Sequence, residues 1–542
     1  MFHQPLEPAG NLLLSSLVAI TPLIVLLVLL AGLRWKAHWA SLTTLVVGFA
    51  LAWLVWSMPP VQAMSAGLDG MAQAVLSILW LTFNAIWIHN LTVTTGHFEV
   101  LRKTFARLSD DLRIATIIIA FAFGALLEAL AGGGAPVAIC AVMLISLGLN
   151  PLKAVAAALV ADTAPVAFGG MGNPITILAR TVQLPGGGTI SPEAFAAMTG
   201  RQTSILSLLV PFVLLLIVDG RRGIRGAWPA ALTGGVSFGA AQYLLSNHFA
   251  YQLTDIFAAL VATLAIVVLS RVWRPKHPVS FREGPGDTSA ADLAITTGER
   301  WRSFAPYLIV VALFSIAQIP AAKEFLDGLT VTFAWPGLDV VNAQGAPVVT
   351  DYVLNYGSAT GTLLFISGLL TMAVLRVHPV RAVAAYRGVL RQFGWAIFTI
   401  LCVFALSFLM NYSGMIVTLG TALAATGGLF AFLAPVVGWF GVFVTGTDAG
   451  ANAMFGQLQA TAAAQIDTSP ILLGAANTAG GVMGKMISPQ NLAVGAAAIG
   501  MVGKEGEILR RVIGWSLGFL LLTCVLVYLQ STPVLGWMVV GG

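Results

Sequence analysis

The chain has 542 residues, of which 58% are hydrophobic and only 9% charged, with a mean hydropathy of +0.89; soluble domains carry about 25% charged residues. Those values exclude a soluble enzyme. The net charge of +5 is spread over short loops between apolar runs, which argues against a nucleic-acid partner and agrees with the positive-inside rule for membrane proteins.

Met1 to Gly10 contains no Lys or Arg, so the basic start of a signal peptide is missing and the first apolar run is expected to remain as a helix. Crossings of about 20 apolar residues are expected near 11–33, 38–58, 70–94, 152–181, 202–219, 227–246, 253–270, 303–320, 359–375, 393–425, 470–500 and 511–530. Two further apolar regions, 114–149 and 429–465, are too long for one helix and are broken by Gly-rich polar tips, as re-entrant hairpins are. With the N-terminus outside, all but four of the 27 basic residues fall on the cytoplasmic side; the exceptions are Arg180, Arg201, Lys323 and the intramembrane Lys485. The polar run from Arg274 to Arg302 reads as a cytoplasmic linker, and 321–358 as its external counterpart. Cys140, Cys402 and Cys524 lie in apolar stretches without CxxC spacing, so neither a disulfide nor a metal site is expected.

The two halves share a motif. Asp162-Thr-Ala-Pro-Val-Ala-Phe-Gly-Gly-Met-Gly-Asn-Pro174 aligns without gaps with Asn477-Thr-Ala-Gly-Gly-Val-Met-Gly-Lys-Met-Ile-Ser-Pro489, and each copy follows a hairpin. By the charge argument the first hairpin enters from the cytoplasm and the second from outside, the signature of an inverted repeat whose broken helices meet near the midplane. The expected fold is therefore an all-α polytopic membrane protein with about 12 transmembrane helices plus two re-entrant hairpins. The first repeat spans 1–226, with hairpin 114–149 and broken helix 152–181; 227–302 links it to the second repeat, 303–542, with hairpin 429–465 and broken helix 470–500.

The chemistry is expected at the tips and breaks. In the first tip, Gly132, Gly133 and Gly134 allow a tight turn before Pro136, exposing backbone amides that bind carboxylates well at a helix N-terminus. Glu128 is an ionisable group in an otherwise uncharged run, a candidate proton carrier. The second tip holds Asp448 between hydroxyl and amide groups, including Thr447 and Asn452, where it can cap a helix, couple a proton or hold a cation. Asp162 with Thr163, and Asn477 with Thr478, place paired polar side chains opposite the tips, suited to the hydroxyl and carboxylate of a small hydroxy acid. Lys485 is either the partner of the substrate carboxylate or the counter-ion of Asp448, Asp162 or Glu128, with the counter-ion role favoured. His89 reads as an interfacial histidine or a proton relay, and Arg201 as a snorkelling arginine. Gly132 to Gly134 lack the Lys and Ser/Thr of a phosphate loop, so ATP is not implied, and there is no nucleophile with its base.

Several stretches resemble the lactate permease family, which includes L-lactate and glycolate permeases: Glu7-Pro-Ala-Gly10, Gly-Ala-Pro-Val-Ala-Ile at 134–139, Thr-Ala-Pro-Val-Ala-Phe-Gly at 163–169, Asn-Tyr-Ser-Gly at 411–414, Gly-Lys-Met-Ile-Ser-Pro-Gln at 484–490 and Gly-Met-Val-Gly-Lys-Glu at 500–505. The resemblance covers nearly the whole chain. It implies a symporter of the bacterial inner membrane that moves L-lactate, and often glycolate, with a proton; no cofactor is expected, and the sequence is compatible with a monomer as well as a homodimer. An elevator-type mechanism follows by analogy with larger hairpin transporters. The family usually has Gly-Phe-Gly where this chain has Gly132 to Gly134, and commonly Asn at the position of Asp162; a wider pocket and an added carboxylate follow here. The competing reading is a sodium-coupled carrier of dicarboxylates, which requires more basic groups than Lys485 alone. A channel and a membrane enzyme fit the paired hairpins and the missing reactive constellation less well.

Overall fold

The computed structural model describes residues 1–542 except 34, 107, 110, 131, 133, 185–187, 280–295, 318, 344, 502 and 542. Most of the linker expected at 274–302 lies outside the described residues.

The chain is mostly helical. Among the described residues nine helices are long and apolar enough to cross a membrane, and eleven if each of two bent pairs counts as one span. The short strands pair in twos: Val331–Ala334 runs antiparallel to Asp351–Leu354, and Phe2–His3 runs parallel to Val340–Val341. They form a cap in the region read as external.

The regions 114–149 and 429–465 each fold as a pair of helices. Helical turns from Leu112 to Leu130 return through Ala135–Ser146, and Phe430–Thr445 returns through Asp448–Gln465. The first arm is apolar except for Arg113, Thr116 and Glu128, and its most apolar window is completely buried inside the protein. A lipid-facing helix would expose one side, so this arm is surrounded by other helices, where interruption of the helix is tolerated. Its base is tied by Arg113, which pairs with Asp111 at 2.6 Å and Asp219 at 3.6 Å. Lys153 donates to the Val218 carbonyl on the same side.

Other elements depart from expectation for local reasons. The crossings expected at 202–219 and 227–246 are halves of one helical run, Pro192–His248, which turns back at Gly220 (φ 61°, ψ −147°) and Ala227 (φ −138°). Only glycine adopts the first of those conformations readily. The crossing expected at 393–425 is divided between Pro379–Ser413 and Met415–Ala424, separated by Gly414 in the left-handed conformation (φ 93°).

The broken helices differ from each other. The first copy ends its opening helix at Ala161 and resumes after Val166, with a 59° bend. Pro165 is disfavoured inside a helix and restricts the residue before it, and Gly170, Met171 and Gly172 follow in left-handed conformations. In the second copy, Gly480 stands where the first has Pro165, and the helix continues from Pro470 to Lys485 before Pro489 opens the next one. Asp162 therefore ends a helix, whereas its aligned partner Asn477 lies within one.

Close helix approach explains the glycines of the second copy. A Cβ on Gly480 would meet the Pro435 carbonyl oxygen, on Gly484 the Trp439 carbonyl, and on Gly438 the Asn477 backbone. Small residues let membrane helices pack backbone to backbone, gaining dispersion contacts that apolar lipid does not provide. Two large buried clusters result. One is built on the first hairpin and broken helix with residues 482–519, and the other on the N-terminal helices with residues 403–476, so both draw on both halves of the chain.

Candidate functional site

Lys485 ends the helix Pro470–Lys485 and is buried. Its Nζ lies 2.5 Å from Glu128 Oε1 and 3.0 Å from Asp162 Oδ2. The first hairpin, the break of the first broken helix and the end of the second broken helix thus meet at one ammonium. The structure pairs Lys485 with Glu128 and Asp162, both buried. One oxygen of each, Glu128 Oε2 and Asp162 Oδ1, is buried without a hydrogen bond.

Glycines make this approach possible. A Cβ on Gly169 would stand 2.8 Å from Glu128 Oε1, and one on Gly132 3.6 Å from the same oxygen. Gly132 (φ 61°) and Gly134 (φ 83°) are left-handed, as the tip requires, and Gly134 begins the helix Ala135–Ser146 with no side chain capping its first amides. Gly133 lies outside the described residues.

Asp448 differs from its expected setting. The helix cap at the second tip is Thr447, whose hydroxyl accepts from the Gly450 amide at 3.1 Å, and the Thr445 hydroxyl bonds backbone carbonyls. Both carboxylate oxygens of Asp448 are buried without a hydrogen-bond partner among the described residues. The side chain packs against Gly481, one turn before Lys485 on the same face of that helix. The hydroxyl and amide neighbours inferred from sequence point elsewhere: Thr447 caps the helix, and Asn452 bonds the Pro174 carbonyl and Thr478.

The polar groups of the second copy form a closed network. Asn452 donates to the Pro174 carbonyl (3.0 Å) and to the Thr478 hydroxyl (2.9 Å); Asn477 donates to Asn452 Oδ1 (2.9 Å), and Gln459 to Asn477 Oδ1 (3.1 Å). Thr163 turns away from it and donates to the Val160 carbonyl of its own helix at 2.6 Å. Two residues outside the sequence-based site join the tips: a Cβ on Gly134 would stand 2.7 Å from Asn491 Oδ1, and one on Gly446 would meet Gln490 Oε1. Gln490, Asn491 and Gln459 are uncharged residues in Ala-rich helices, with nothing but their place near a break to mark them. His89 packs edge-on against Phe98 at 5.0 Å between ring centroids. Arg201 bonds Asn247 and the Met538 carbonyl, tying the chain's end to the helix 192–248.

The model of the L-lactate permease family matches residues 15–534, nearly the whole chain. The chain belongs to the L-lactate permease family. The L-lactate permeases of Salmonella typhi and Bacillus subtilis (strain 168) are each 38% identical to it, over 99% of this chain and 100% of the first and over 98% of both chains for the second. The glycolate permease GlcA of Escherichia coli (strain K12) is 39% identical over 99% of each chain. The solved structure of the Alcanivorax borkumensis YdaH transporter aligns over 95% of this chain and 98% of its own, with a TM-score of 0.39 and 13% identity. As a member of this permease family with many apolar helices, the protein is a multi-pass membrane transport protein.

Proposed function

We propose that this permease carries L-lactate and related 2-hydroxy monocarboxylates such as glycolate into the cell across a bacterial cytoplasmic membrane, together with a proton. In this reading 1–226 and 303–542 are inverted repeats joined by 227–302, about twelve helices cross the membrane, and the hairpins and broken helices move as an elevator between the two faces. The relatives named L-lactate and glycolate permease support the substrate class.

The observation that carries the coupling is the sharing of Lys485 by Glu128 and Asp162. Two carboxylates facing one ammonium leave a negative charge uncompensated, and Asp448 adds a third carboxylate without a hydrogen bond. An unpaired charge in a dry interior costs several kcal/mol, so the site favours taking up a proton. A proton on Glu128 or Asp162 releases one of the ammonium's bonds, and the carboxylate of the substrate takes that place, so proton and anion enter together. The uncapped amides after Gly134 and the first-tip glycines supply further donors to the carboxylate. In this reading the network of Asn452, Asn477 and Thr478, with Thr447 at the second tip and Thr163 at the other break, receives the 2-hydroxyl.

The test is uptake of labelled L-lactate by proteoliposomes under an imposed pH step, compared with an imposed sodium gradient. Accumulation driven by the pH step and insensitive to sodium is expected. Accumulation driven only by sodium overturns proton coupling, and accumulation of dicarboxylates but not lactate overturns the substrate class.

A further inference from the structure

Arg180 lies two turns beyond Pro174 on the second part of the first broken helix and is largely buried. Its guanidinium is held by three neutral oxygens from two other elements. Nη1 donates to Gln73 Oε1 (3.2 Å) and Ser77 Oγ (2.8 Å) on the helix run 60–94, and Nη2 donates to Asn355 Oδ1 (3.0 Å) in the external cap. No carboxylate lies within ion-pair distance of it among the described residues. Arginine cannot shed its proton, so a positive charge stands here in a low-dielectric setting, oriented by dipoles and left without a counter-ion.

The position is directional. At 1.5 Å per residue, six residues of helix separate Arg180 from Pro174 by about 9 Å, and the Pro174 carbonyl is an acceptor of Asn452 in the central network. The helix that carries the arginine therefore leads from the external cap to the candidate site. The cap is fastened around it: Gln183 accepts from the Val349 amide (3.2 Å) and donates to the Val349 carbonyl (2.8 Å), and Gln457 holds both backbone groups of Gln183. Elsewhere the cap is held by Tyr352 Oη donating to the Ala72 carbonyl (3.0 Å) and Trp335 Nε1 donating to the Ser65 carbonyl (3.1 Å), which are again neutral hydrogen bonds.

We propose that Arg180 is an external receiving site for the carboxylate of the substrate, with Gln73, Ser77 and Asn355 standing in for that carboxylate while the cap is closed. A planar fork of donors matches a carboxylate in two-point contact, and an uncompensated cation at the mouth raises the local concentration of anions. The site takes a small monocarboxylate arriving from outside and passes it toward Lys485. This inference rests on the reading of the chain as a monocarboxylate carrier.

The test measures the apparent KM of labelled L-lactate influx from the external face in right-side-out vesicles and from the cytoplasmic face in inside-out vesicles. Arg180→Gln is expected to raise the external KM by about tenfold to a hundredfold, the worth of one or two charge-assisted bonds, while leaving the internal KM and exchange at saturating substrate near the wild-type values. Arg180→Lys, which keeps the charge and loses the fork, is expected to fall between. An unchanged external KM, or equal rises on both faces, overturns the proposal. Independently of any variant, lactate should slow modification of wild-type Arg180 by an arginine-specific dicarbonyl reagent, read by peptide mass spectrometry; no protection overturns it as well. If the wild type takes up no lactate at all, the carrier reading fails before this one is reached.

Discussion

Lys485 Nζ and Glu128 Oε1 are in direct contact across 357 positions of sequence, and Asp162 shares the same ammonium. This contact joins the first hairpin to the second broken helix in the interior of a membrane protein. Breaking a buried pair by removing one partner costs about 3–5 kcal/mol, because the remaining charge is stranded. Lys485→Met is therefore expected to lower thermal stability in detergent sharply. Adding Glu128→Gln and Asp162→Asn to it should restore most of the loss, since both carboxylates that paired with the ammonium are then neutral and only Asp448 keeps its place. A single Lys485→Met as stable as the wild type would mean that the pair contributes nothing.

Glu128→Gln separates coupling from binding. The variant keeps the shape of the side chain and its place beside Gly169 but cannot exchange a proton. It is expected to abolish accumulation of lactate driven by a pH step while retaining some counterflow between equal concentrations, which needs no net proton movement. Both are measured in proteoliposomes. Accumulation that persists in Glu128→Gln moves the carrier role to Asp162 or Asp448.

The two Thr/Asn motifs should respond unequally. Asn477 both donates and accepts within the buried network, so Asn477→Ala removes one of the two hydrogen bonds made by Asn452 Oδ1 and one of the two made by Gln459 Nε2, and is expected to weaken lactate transport by about 1–3 kcal/mol. The Thr163 hydroxyl serves only the carbonyl of its own helix, and Thr163→Val keeps its volume, so its effect on transport should be the smaller one. Initial uptake rates over a range of lactate concentrations decide this; a larger effect at Thr163 would place the hydroxyl in contact with substrate.

Gly480→Val tests the close packing of the second hairpin against the second broken helix. Its Cβ would meet the Pro435 carbonyl, a backbone atom without a rotamer to escape into. Loss of folded protein by fluorescence-detected size exclusion is expected. Gly514→Val, on a glycine with open space around it, should leave the elution profile unchanged.

The membrane arrangement has its own check. Thr189 and Arg222 are both exposed and lie on opposite sides by the charge argument. A cysteine replacing Thr189 should react with an impermeant maleimide added outside whole cells, and one replacing Arg222 only after permeabilisation. Labelling of position 189 from the cytoplasm alone would overturn the inverted repeat.

The sequence by itself determined the class of protein and the places where helices break. Apolar runs of membrane length, basic loops, glycine tips and Pro165 or Pro489 act locally, through hydration and backbone sterics, and so can be read along the chain. Glu128, Asp162, Asp448 and Lys485 were legible for the same reason, as ionisable groups in apolar surroundings. Their partners were not. Which carboxylates reach Lys485, why Asp448 is left without a hydrogen bond while Thr447 caps the helix, and why Arg180 has only neutral acceptors all depend on how distant helices pack. Asn477 and Asp162 align in sequence, yet one lies within a helix and the other ends one, because Gly480 permits a close approach to Pro435 where Pro165 stops the helix. Long-range partners follow from packing at contact distance, and a pattern of single residues along the chain does not carry those distances.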